Sequence, residues 1–233
     1  MKKIQLDSRL AAAASFARRG KAFADVGTDH ASLPIYLVGE GIAPRGVASD
    51  INEGPITRAR INISGAGLGD KIAAVRTDGL SGLEEYSPED VYVLGMGGEL
   101  IWRIVDASPL ARRDGVRLIM QPMTRAAELR RGLTEGGFSI IDEALAEDEK
   151  LGDGRIYQII AAEYTGVREE YSEVELILGR HNIARGGEKL RKHAAFAAEV
   201  LLTRARGLES ANRDATPERK LAADILAAVK EKK

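Results

Sequence analysis

The chain has 233 residues, 44% hydrophobic and 30% charged, a composition typical of soluble globular proteins. It contains no cysteine, which excludes disulfides, thiolate nucleophiles and cysteine-ligated metals. Its three histidines, His30, His181 and His193, lack zinc-ligand spacing. No apolar run reaches the roughly 18 residues that a membrane span requires. These features predict a cytoplasmic protein without a metal site or a membrane helix.

From residue 21 to about 163, short apolar runs alternate with helix-length segments, as in βα units around a parallel sheet. The predicted strands are 22–26, 45–49, 72–76, 90–95 and 116–121, and the predicted crossover helices are 31–40, 53–65, 98–107 and 124–136. Two further strands, 138–146 and 155–163, flank Gly152-Asp153-Gly154, which suits a hairpin turn. Five parallel strands closed by a hairpin form the usual Rossmann-like sheet of class I methyltransferases.

After residue 165 the strand-like runs end. Apolar residues then recur at spacings of three and four, as in a helix that packs along another helix. They are Leu190, Ala194, Ala197, Leu201, Ala205 and Leu208, and the pattern resumes at Leu221, Ile225 and Val229. We therefore predict an α/β, Rossmann-like domain over 1–165 and an all-α, coiled-coil-like helical hairpin over 166–233.

The C-terminal part carries a basic stretch. Residues 166–233 hold 14 basic and 11 acidic side chains, whereas residues 1–165 hold 20 and 24. Within 180–206 seven basic side chains accompany two acidic ones, and we expect Arg185, Lys189 and Arg191 to contact a phosphate backbone. A solvated helix face that serves only solubility is the alternative.

The first candidate ligand site is the sequence DVGTDH at residues 25–30, at the predicted end of the first strand. Ligands of open α/β sheets bind outside the carboxyl ends of the strands, where a glycine lets the backbone approach them. The chain lacks G-x-G-x-x-G, the cradle of a dinucleotide pyrophosphate. This favours S-adenosylmethionine, with its ammonium on a nearby aspartate and its carboxylate on loop amides. An ordinary strand-to-helix turn is the alternative.

Three further candidate sites follow at predicted strand ends. Asp50 ends the second strand, where an acidic side chain binds ribose hydroxyls, and N-capping by Asp50 or by Asn52 is the alternative. Asp78-Gly79 follows the third strand, where an aspartate can bind the adenine amino group. Gly95-Met96 ends the fourth strand, beside the expected position of a transferred methyl group. Four such sites in this order together indicate an adenosine-bearing cofactor.

Several segments of the chain resemble one family. They are SRL (8–10), ADVGTDHASLPIYLV (24–38), ASDINEGP (48–55), RTDGL (76–80), GMGGELI (95–101) and QPM (121–123). They are similar to the bacterial tRNA (adenine-N1)-methyltransferases known as TrmK, which modify adenine 22 in tRNA. The resemblance spans about 4–163, and the family's helical extension corresponds to 166–233 in architecture. TDGL replaces the family's common GDGL, and Met123 stands where asparagine is frequent.

The resemblance implies an S-adenosylmethionine-dependent tRNA methyltransferase. The cofactor-binding residues that it implies are Asp25, Gly27, His30, Asp50, Asp78, Gly79, Gly95 and Met96. We add Asn52, which lies beside Asp50 in the sequence. The QPM segment would place Gln121 and Pro122 near the substrate. We expect such an enzyme to be a monomer or a weak homodimer.

The chemistry of adenine N1 suggests a catalytic residue. N1 already carries a lone pair, so positioning and electrostatics should supply most of the rate. The adenine becomes cationic on methylation, and a carboxylate facing its Watson–Crick edge would stabilise that charge. Asp29, after the glycine turn, is the predicted catalytic residue, with N-capping of the helix that begins at Ala31 as the alternative.

Other functions fit parts of the pattern. A methyltransferase acting on another RNA, a protein or a small molecule would use the helical tail for dimerisation. A non-catalytic protein that binds S-adenosylmethionine or RNA would keep the same pocket. A nicotinamide oxidoreductase is disfavoured because the phosphate-binding glycines are missing.

Overall fold

The computed structural model describes residues 4–147 and 155–230. Within these residues seven strands form one sheet in the order β3-β2-β1-β4-β5-β7-β6. The strands are β1 (Phe23–Val26), β2 (Gly46–Asp50), β3 (Ile72–Arg76), β4 (Asp90–Gly97), β5 (Arg117–Thr124), β6 (Phe138–Glu147) and β7 (Ile156–Tyr164). Strand β7 runs antiparallel to both β5 and β6. The predicted Rossmann-like methyltransferase sheet is confirmed, and the predicted turn at 152–154 lies outside the described residues.

Helices cover both faces of the sheet. They are α1 (Ser8–Ala14), α2 (Ser32–Gly39), α3 (Glu53–Gly65), α4 (Gly98–Asp106), α5 (Ala126–Glu135), α6 (Glu173–Leu178), α7 (Arg180–Arg185), α8 (Glu188–Ser210) and α9 (Thr216–Ala228). Helices α1 to α3 pack on one face and α4 and α5 on the other. Strand β1 is buried along its whole length, as expected of a parallel strand covered on both sides. Among the described helices none has the length and apolar content to cross a bilayer.

The C-terminal helices form the predicted hairpin. Helices α8 and α9 pack along each other, and Leu190 and Ala194 of α8 share a buried cluster with Ala222 and Ile225 of α9. Helix α9 begins at Thr216, with a proline in its first turn, where the missing backbone N–H removes no helical hydrogen bond. The short helices α6 and α7, which the sequence did not predict, connect this hairpin to the sheet. The division between two domains at residue 165 stays a prediction.

A buried ion pair joins the sheet to these connecting helices. Arg130 of α5 and Glu143 of β6 are both fully buried, with 2.7 Å between Nε and Oε1. The Arg130 guanidinium also donates to the Leu176 carbonyl of α6 and to Gln158 Oε1 of β7, each at 2.8 Å. The second Glu143 carboxylate oxygen accepts the backbone N–H of His181 at 3.0 Å. Every charge-bearing group of the pair therefore has a partner, as burial requires.

The turn between α6 and α7 is shaped around the Glu143 carboxylate. Gly179 has φ 87°, and a Cβ at this position would lie 2.5 Å from both Glu143 carboxylate oxygens. His181 adds a second link to β6, since its Nε2 lies 2.9 Å from the Ile140 carbonyl oxygen. Any residue larger than glycine would clash with the carboxylate. The close approach of this turn and the two hydrogen bonds of His181 hold α7, and α8 after it, against β6.

Removing one partner of the buried pair should destabilise the protein strongly. The substitution Arg130→Met leaves the Glu143 carboxylate buried without a counter-charge, and we expect the free energy of unfolding to fall by about 3–5 kcal/mol. Chemical denaturation measures this change. Arg131→Met is the matched control, because the neighbouring Arg131 forms an exposed pair with Glu173 and should lose less than about 1 kcal/mol. Similar losses in both variants would contradict the importance of the buried pair.

Candidate active site

The carboxyl ends of β1 to β4 lie side by side, and the loops that follow them line two clefts. The first cleft, of about 370 Å³, lies between the loop after β1, the end of β4 and helix α1. The second, of about 650 Å³, lies between the loops after β2 and β3 and helix α4. The predicted residues Asp25, Gly27, His30 and Gly95 line the first cleft, and Asp78 and Gly79 line the second.

The loop after β1 is held in a conformation that requires glycine. Gly27 has φ 79°, and a Cβ there would lie 2.2 Å from the terminal methyl of Met96. The Gly27 and Thr28 amides donate to the Ser49 carbonyl at 2.8 and 2.9 Å, which ties the loop to β2. Two of the loop amides that we expected to bind the carboxylate of the cofactor are therefore already committed to the protein.

Asp25 is a buried carboxylate at the end of β1. Its side chain lines the first cleft and the residue is only 7% exposed. Burial raises the pKa of Asp25 to about 6, although a hydrogen bond with the Thr28 side chain and the charge of Arg9 both act to lower it. A carboxylate held in this way is stabilised by an added cation, so the site suits a ligand ammonium group.

Arg9 is the residue of this cleft that the sequence analysis missed. The arginine lies on α1, and its Nη1 donates to the Oε1 of Gln121 at 3.1 Å. Its approach to the Asp7 carboxylate is loose, with 3.8 Å between the charged atoms. The guanidinium therefore retains donors that can face a ligand in the cleft. The only signal in the sequence was the SRL segment at 8–10, to which no role was attached.

Gln121 and Pro122, predicted to lie at the substrate, are both buried in β5. Besides accepting the hydrogen bond from Arg9, Gln121 uses its Nε2 to donate to the Pro122 carbonyl at 2.9 Å. Gln121 is 0% exposed, so in this structure it reaches the cleft only through Arg9. Met123, the next residue beyond them, is 43% exposed at the end of the strand. Direct substrate contact by Gln121 or Pro122 stays a prediction.

Asp29 is exposed and engaged on both carboxylate oxygens. Oδ1 accepts hydrogen bonds from the Arg58 guanidinium of α3, and Oδ2 lies 3.1 Å from His30 Nε2. The hydrogen bond from Arg58 lowers the pKa of Asp29, so the carboxylate is ionised at neutral pH. The N-cap alternative is wrong, because α2 begins at Ser32 and its N-cap is Ala31, without a side-chain cap.

Asp50 is held by a local turn at the end of β2. One of its carboxylate oxygens accepts the backbone N–H of Asn52 at 2.7 Å and the Asn52 side-chain amide at 3.1 Å. Asn52 occupies the N-cap position of α3, but its side chain makes no capping hydrogen bond there. The N-cap alternative therefore holds for Asn52 by position only and is wrong for Asp50, and the Asn52 side chain instead donates to the Asp50 carboxylate.

The basic stretch of the extension is largely neutralised by the fold. Arg185 donates to Asp142 Oδ1 at 2.6 Å and to the Glu143 carbonyl. Lys189 lines a groove of about 430 Å³ against β6 and the residues that directly follow α1, and Arg191 lies on the other side of the helix, beside α9. Four more members of the stretch form ion pairs: Arg180, Lys192, Arg204 and Arg206. The three predicted phosphate contacts therefore do not form one free basic face.

Comparison with known proteins identifies the family. A methyltransferase domain family matches residues 6–160. The Bacillus subtilis tRNA (adenine(22)-N(1))-methyltransferase is 31% identical over 179 residues, covering 77% of this chain and 74% of that protein. The chain belongs to this methyltransferase family. The resemblance noted in the sequence is thus confirmed, and the matched residues include the loops that line both clefts.

Solved structures of the family match the helical extension as well. A crystal structure of the B. subtilis tRNA methyltransferase TrmK has a TM-score of 0.83 at 25% identity and covers 97% of this chain and 98% of that one. A Streptococcus pneumoniae candidate tRNA (m1A22) methyltransferase in complex with S-adenosylmethionine has a TM-score of 0.76 at 31% identity, with the same coverage. In the parts of this chain that the structure describes, no group of three or more metal-ligating side chains is placed to hold an ion.

The Gly27 loop should be required for cofactor binding. We expect Gly27→Ala to weaken S-adenosylmethionine binding at least about tenfold, because alanine is strained at this φ and displaces the Met96 methyl. Calorimetry measures the affinity. Gly20→Ala is the matched control, since Gly20 has the same φ of 79° with no atom within 4 Å of an added Cβ. Equal affinity in the two variants would show that the loop does not shape the site.

Proposed function

We propose that this chain transfers the methyl group of S-adenosylmethionine to N1 of an adenine in tRNA, with adenine 22 as the target. The observation that carries the proposal is the 31% identity to a tRNA (adenine(22)-N(1))-methyltransferase over 77% of the chain. The paired clefts at the carboxyl ends of the strands support it, because they offer carboxylates and a guanidinium without a phosphate cradle. As predicted from its composition, we place the enzyme in the cytoplasm, and we keep the expectation that it is a monomer or a weak homodimer.

The charged groups of the first cleft fit the methionyl end of the cofactor. We assign the ammonium to the buried Asp25 carboxylate and the carboxylate to the Arg9 guanidinium, since the Gly27 and Thr28 amides serve Ser49. Gly95 and Met96 then border the sulfonium, and His30 flanks the cleft at its rim. Arg9 is in turn positioned by Gln121, which gives the buried amide a supporting role.

The second cleft fits the adenosine end. Asp50 does not line the cleft itself, but it precedes the lining residue Ile51 and is oriented by Asn52, so we assign it the ribose hydroxyls. Asp78 lines the cleft and accepts from the adenine amino group. Gly79, whose φ of 56° favours glycine, packs against Ile104, and both residues line this cleft. When bound, S-adenosylmethionine supplies an electrophilic methyl group, and the protein's task is to align the target N1 with it.

Asp29 is the proposed carboxylate for the cationic adenine. In this structure Arg58 neutralises it, so Asp29 must share or leave that partner to oppose a positive base. Arg58 is half-exposed and can turn towards a phosphate, which a bound RNA would supply. Lys189 and Arg191 stay the proposed phosphate contacts of the extension, and Arg185 would have to exchange Asp142 for a phosphate.

The direct test of function is labelled methyl transfer to unmodified tRNA. We expect incorporation into wild-type tRNA, N1-methyladenine at position 22 on mapping, and none in tRNA with guanine at that position. Labelling of the guanine variant would redirect the proposal to another nucleotide. Cofactor binding without transfer to any RNA would favour the non-catalytic alternative.

Asp25 should give stability and cofactor affinity opposite pH dependences. Because its pKa rises from 3.8 to about 6 on folding, the protonated carboxyl favours the folded state, and this stabilisation is fully present below about pH 4 and lost as pH rises to about 6. The free energy of unfolding of the ligand-free protein should then fall by up to about 3 kcal/mol as pH rises through 6. Affinity for S-adenosylmethionine should instead fall as pH drops below 6, because the ammonium needs the ionised carboxylate.

Two variants isolate the Asp25 contribution. Asp25→Asn should remove the pH dependence of cofactor affinity and the Asp25 part of the pH dependence of stability, measured by calorimetry and by denaturation between pH 4 and 8. Asp90→Asn is the control, because Asp90 is also buried with a raised pKa but pairs with Arg18 at the opposite edge of the sheet. It should change stability and leave the pH profile of cofactor affinity as in the wild type. An unchanged affinity profile in Asp25→Asn would exclude the ammonium assignment.

Asp29 and Arg58 can be separated by paired substitutions. We expect Asp29→Asn to lower kcat by about 10²-fold or more, with little change in the dissociation constant of S-adenosylmethionine. Arg58→Ala should retain most of the kcat if the carboxylate acts on the base. Equal loss of kcat in the two variants would show that Asp29 only anchors Arg58, and full activity of Asp29→Asn would remove it from catalysis.

A further inference from the structure

Helix α8 carries an apolar pair that nothing in the described chain covers. Phe196 is 70% exposed and Val200, one turn later, is 53% exposed. The buried seam of the hairpin, which includes Leu190 and Ala194, lies on the opposite side of α8, where it meets α9. Because residues four apart share a helix face, Phe196 and Val200 form one continuous apolar strip, which we term the α8 ridge.

The contacts of α8 set the direction in which the ridge faces. Lys189 lines the groove against the middle of β6, and Lys192 Nζ lies 3.0 Å from the carboxylate of Glu147, the last residue of β6. Helix α8 therefore runs along β6 towards the carboxyl end of the sheet. Phe196 is one turn beyond Lys192 on the same face, so the ridge faces the catalytic domain and not away from it.

The strand register shows where the sheet ends beneath the helix. Met120 of β5 pairs with Ile160 of β7, which pairs with Glu143 of β6. Glu147, four residues on, is thus level with the end of β5, and the ridge overhangs the edge that bears both clefts. The groove at Lys189 also includes Ser15 and Phe16, which directly follow α1, so the ridge lies on the face of the sheet that α1 covers, as the first cleft does. From β6 to β4 are three strand spacings, roughly 15 Å.

A nucleic acid suits this position better than a second copy of the chain. Two side chains on one helix face offer far less than the roughly 1,000 Å² that a stable protein interface buries. When the target base enters the clefts, the neighbouring nucleotides lie between the clefts and the ridge. The flat faces of their bases are then free to stack on an aromatic side chain. Lys189, which lies on the same helix face and forms no ion pair within the described residues, favours a polyanion over an apolar partner.

We propose that the α8 ridge binds the tRNA substrate, with Phe196 stacking on a nucleobase that lies outside the catalytic clefts and Val200 packing beside it. This inference rests on the proposed function. The contact is apolar, so it adds to recognition without depending on the phosphate charge. It requires an unpaired or splayed nucleotide within roughly 15 Å of the target adenine, since paired bases do not expose their faces.

The test compares tRNA affinity across Phe196 variants. We expect Phe196→Ala and Phe196→Leu to raise the dissociation constant for tRNA about tenfold, and Phe196→Tyr to stay near the wild type, because stacking needs an aromatic ring. The ratio of variant to wild-type affinity should not change with salt. Affinity for S-adenosylmethionine should be unaltered. Val167→Ala is the control, because Val167 is similarly exposed (59%) but follows β7 at the opposite edge of the sheet.

The outcomes separate this inference from the proposed function. If the wild type methylates tRNA and Phe196→Leu binds it equally well, the ridge is not a stacking surface. If Phe196→Ala converts a dimer into a monomer by light scattering, the ridge is an interface between copies, and the inference is overturned. A wild type that neither binds nor methylates tRNA would refute the proposed function itself.

Discussion

The buried ion pair between Arg130 and Glu143 is the interaction on which the arrangement of this protein depends. It draws α5, β6, β7 and the α6–α7 turn to one point, and each partner is fully buried with its remaining groups hydrogen bonded. A charge buried this deeply tolerates few alternative geometries, because any that leaves it unpaired is strongly unfavourable. The pair thereby sets the path of α7 and the direction in which α8 leaves the sheet. Because α8 follows α7, this buried pair also helps to place the α8 ridge at the carboxyl end of the sheet.

The catalytic edge follows from the parallel pairing of β3, β2, β1 and β4. Parallel strands place their carboxyl ends at one edge, so the loops carrying Asp25, Asp50 and Asp78 become neighbours although the chain separates them. In the proposed site, the two ends of an amino-acid-like ligand would meet opposite charges, a buried carboxylate on β1 and the Arg9 guanidinium on α1. Gly27 and Met96 pack against each other across this edge, which couples the conformation of the first loop to that of the fourth.

Charge in the extension is used mainly within the protein. Arg180 and Arg185 secure α7 to its surroundings, and Lys192 fastens α8 to the end of β6. A cation count along the chain therefore overestimates the charge that an RNA would meet. The proposed recognition of tRNA would then rely on cations of the extension that form no ion pair within the described residues, such as Lys189 and Arg191, and on apolar contact at the α8 ridge.

The linear pattern of residues was enough to predict the seven strands, the helical hairpin and most of the residues at the carboxyl ends of the strands that line the two clefts. Periodicity and glycine placement are local properties, and each predicted cofactor-binding loop follows one of the strands β1 to β4. The pattern did not reveal Arg9, because its role arises only when α1 packs beside β5 and meets the buried Gln121. Nor did it show that Asp29 is held by Arg58, or that the Gly27 and Thr28 amides serve Ser49. Those facts belong to the tertiary structure, because each joins groups far apart in the chain whose approach only packing decides.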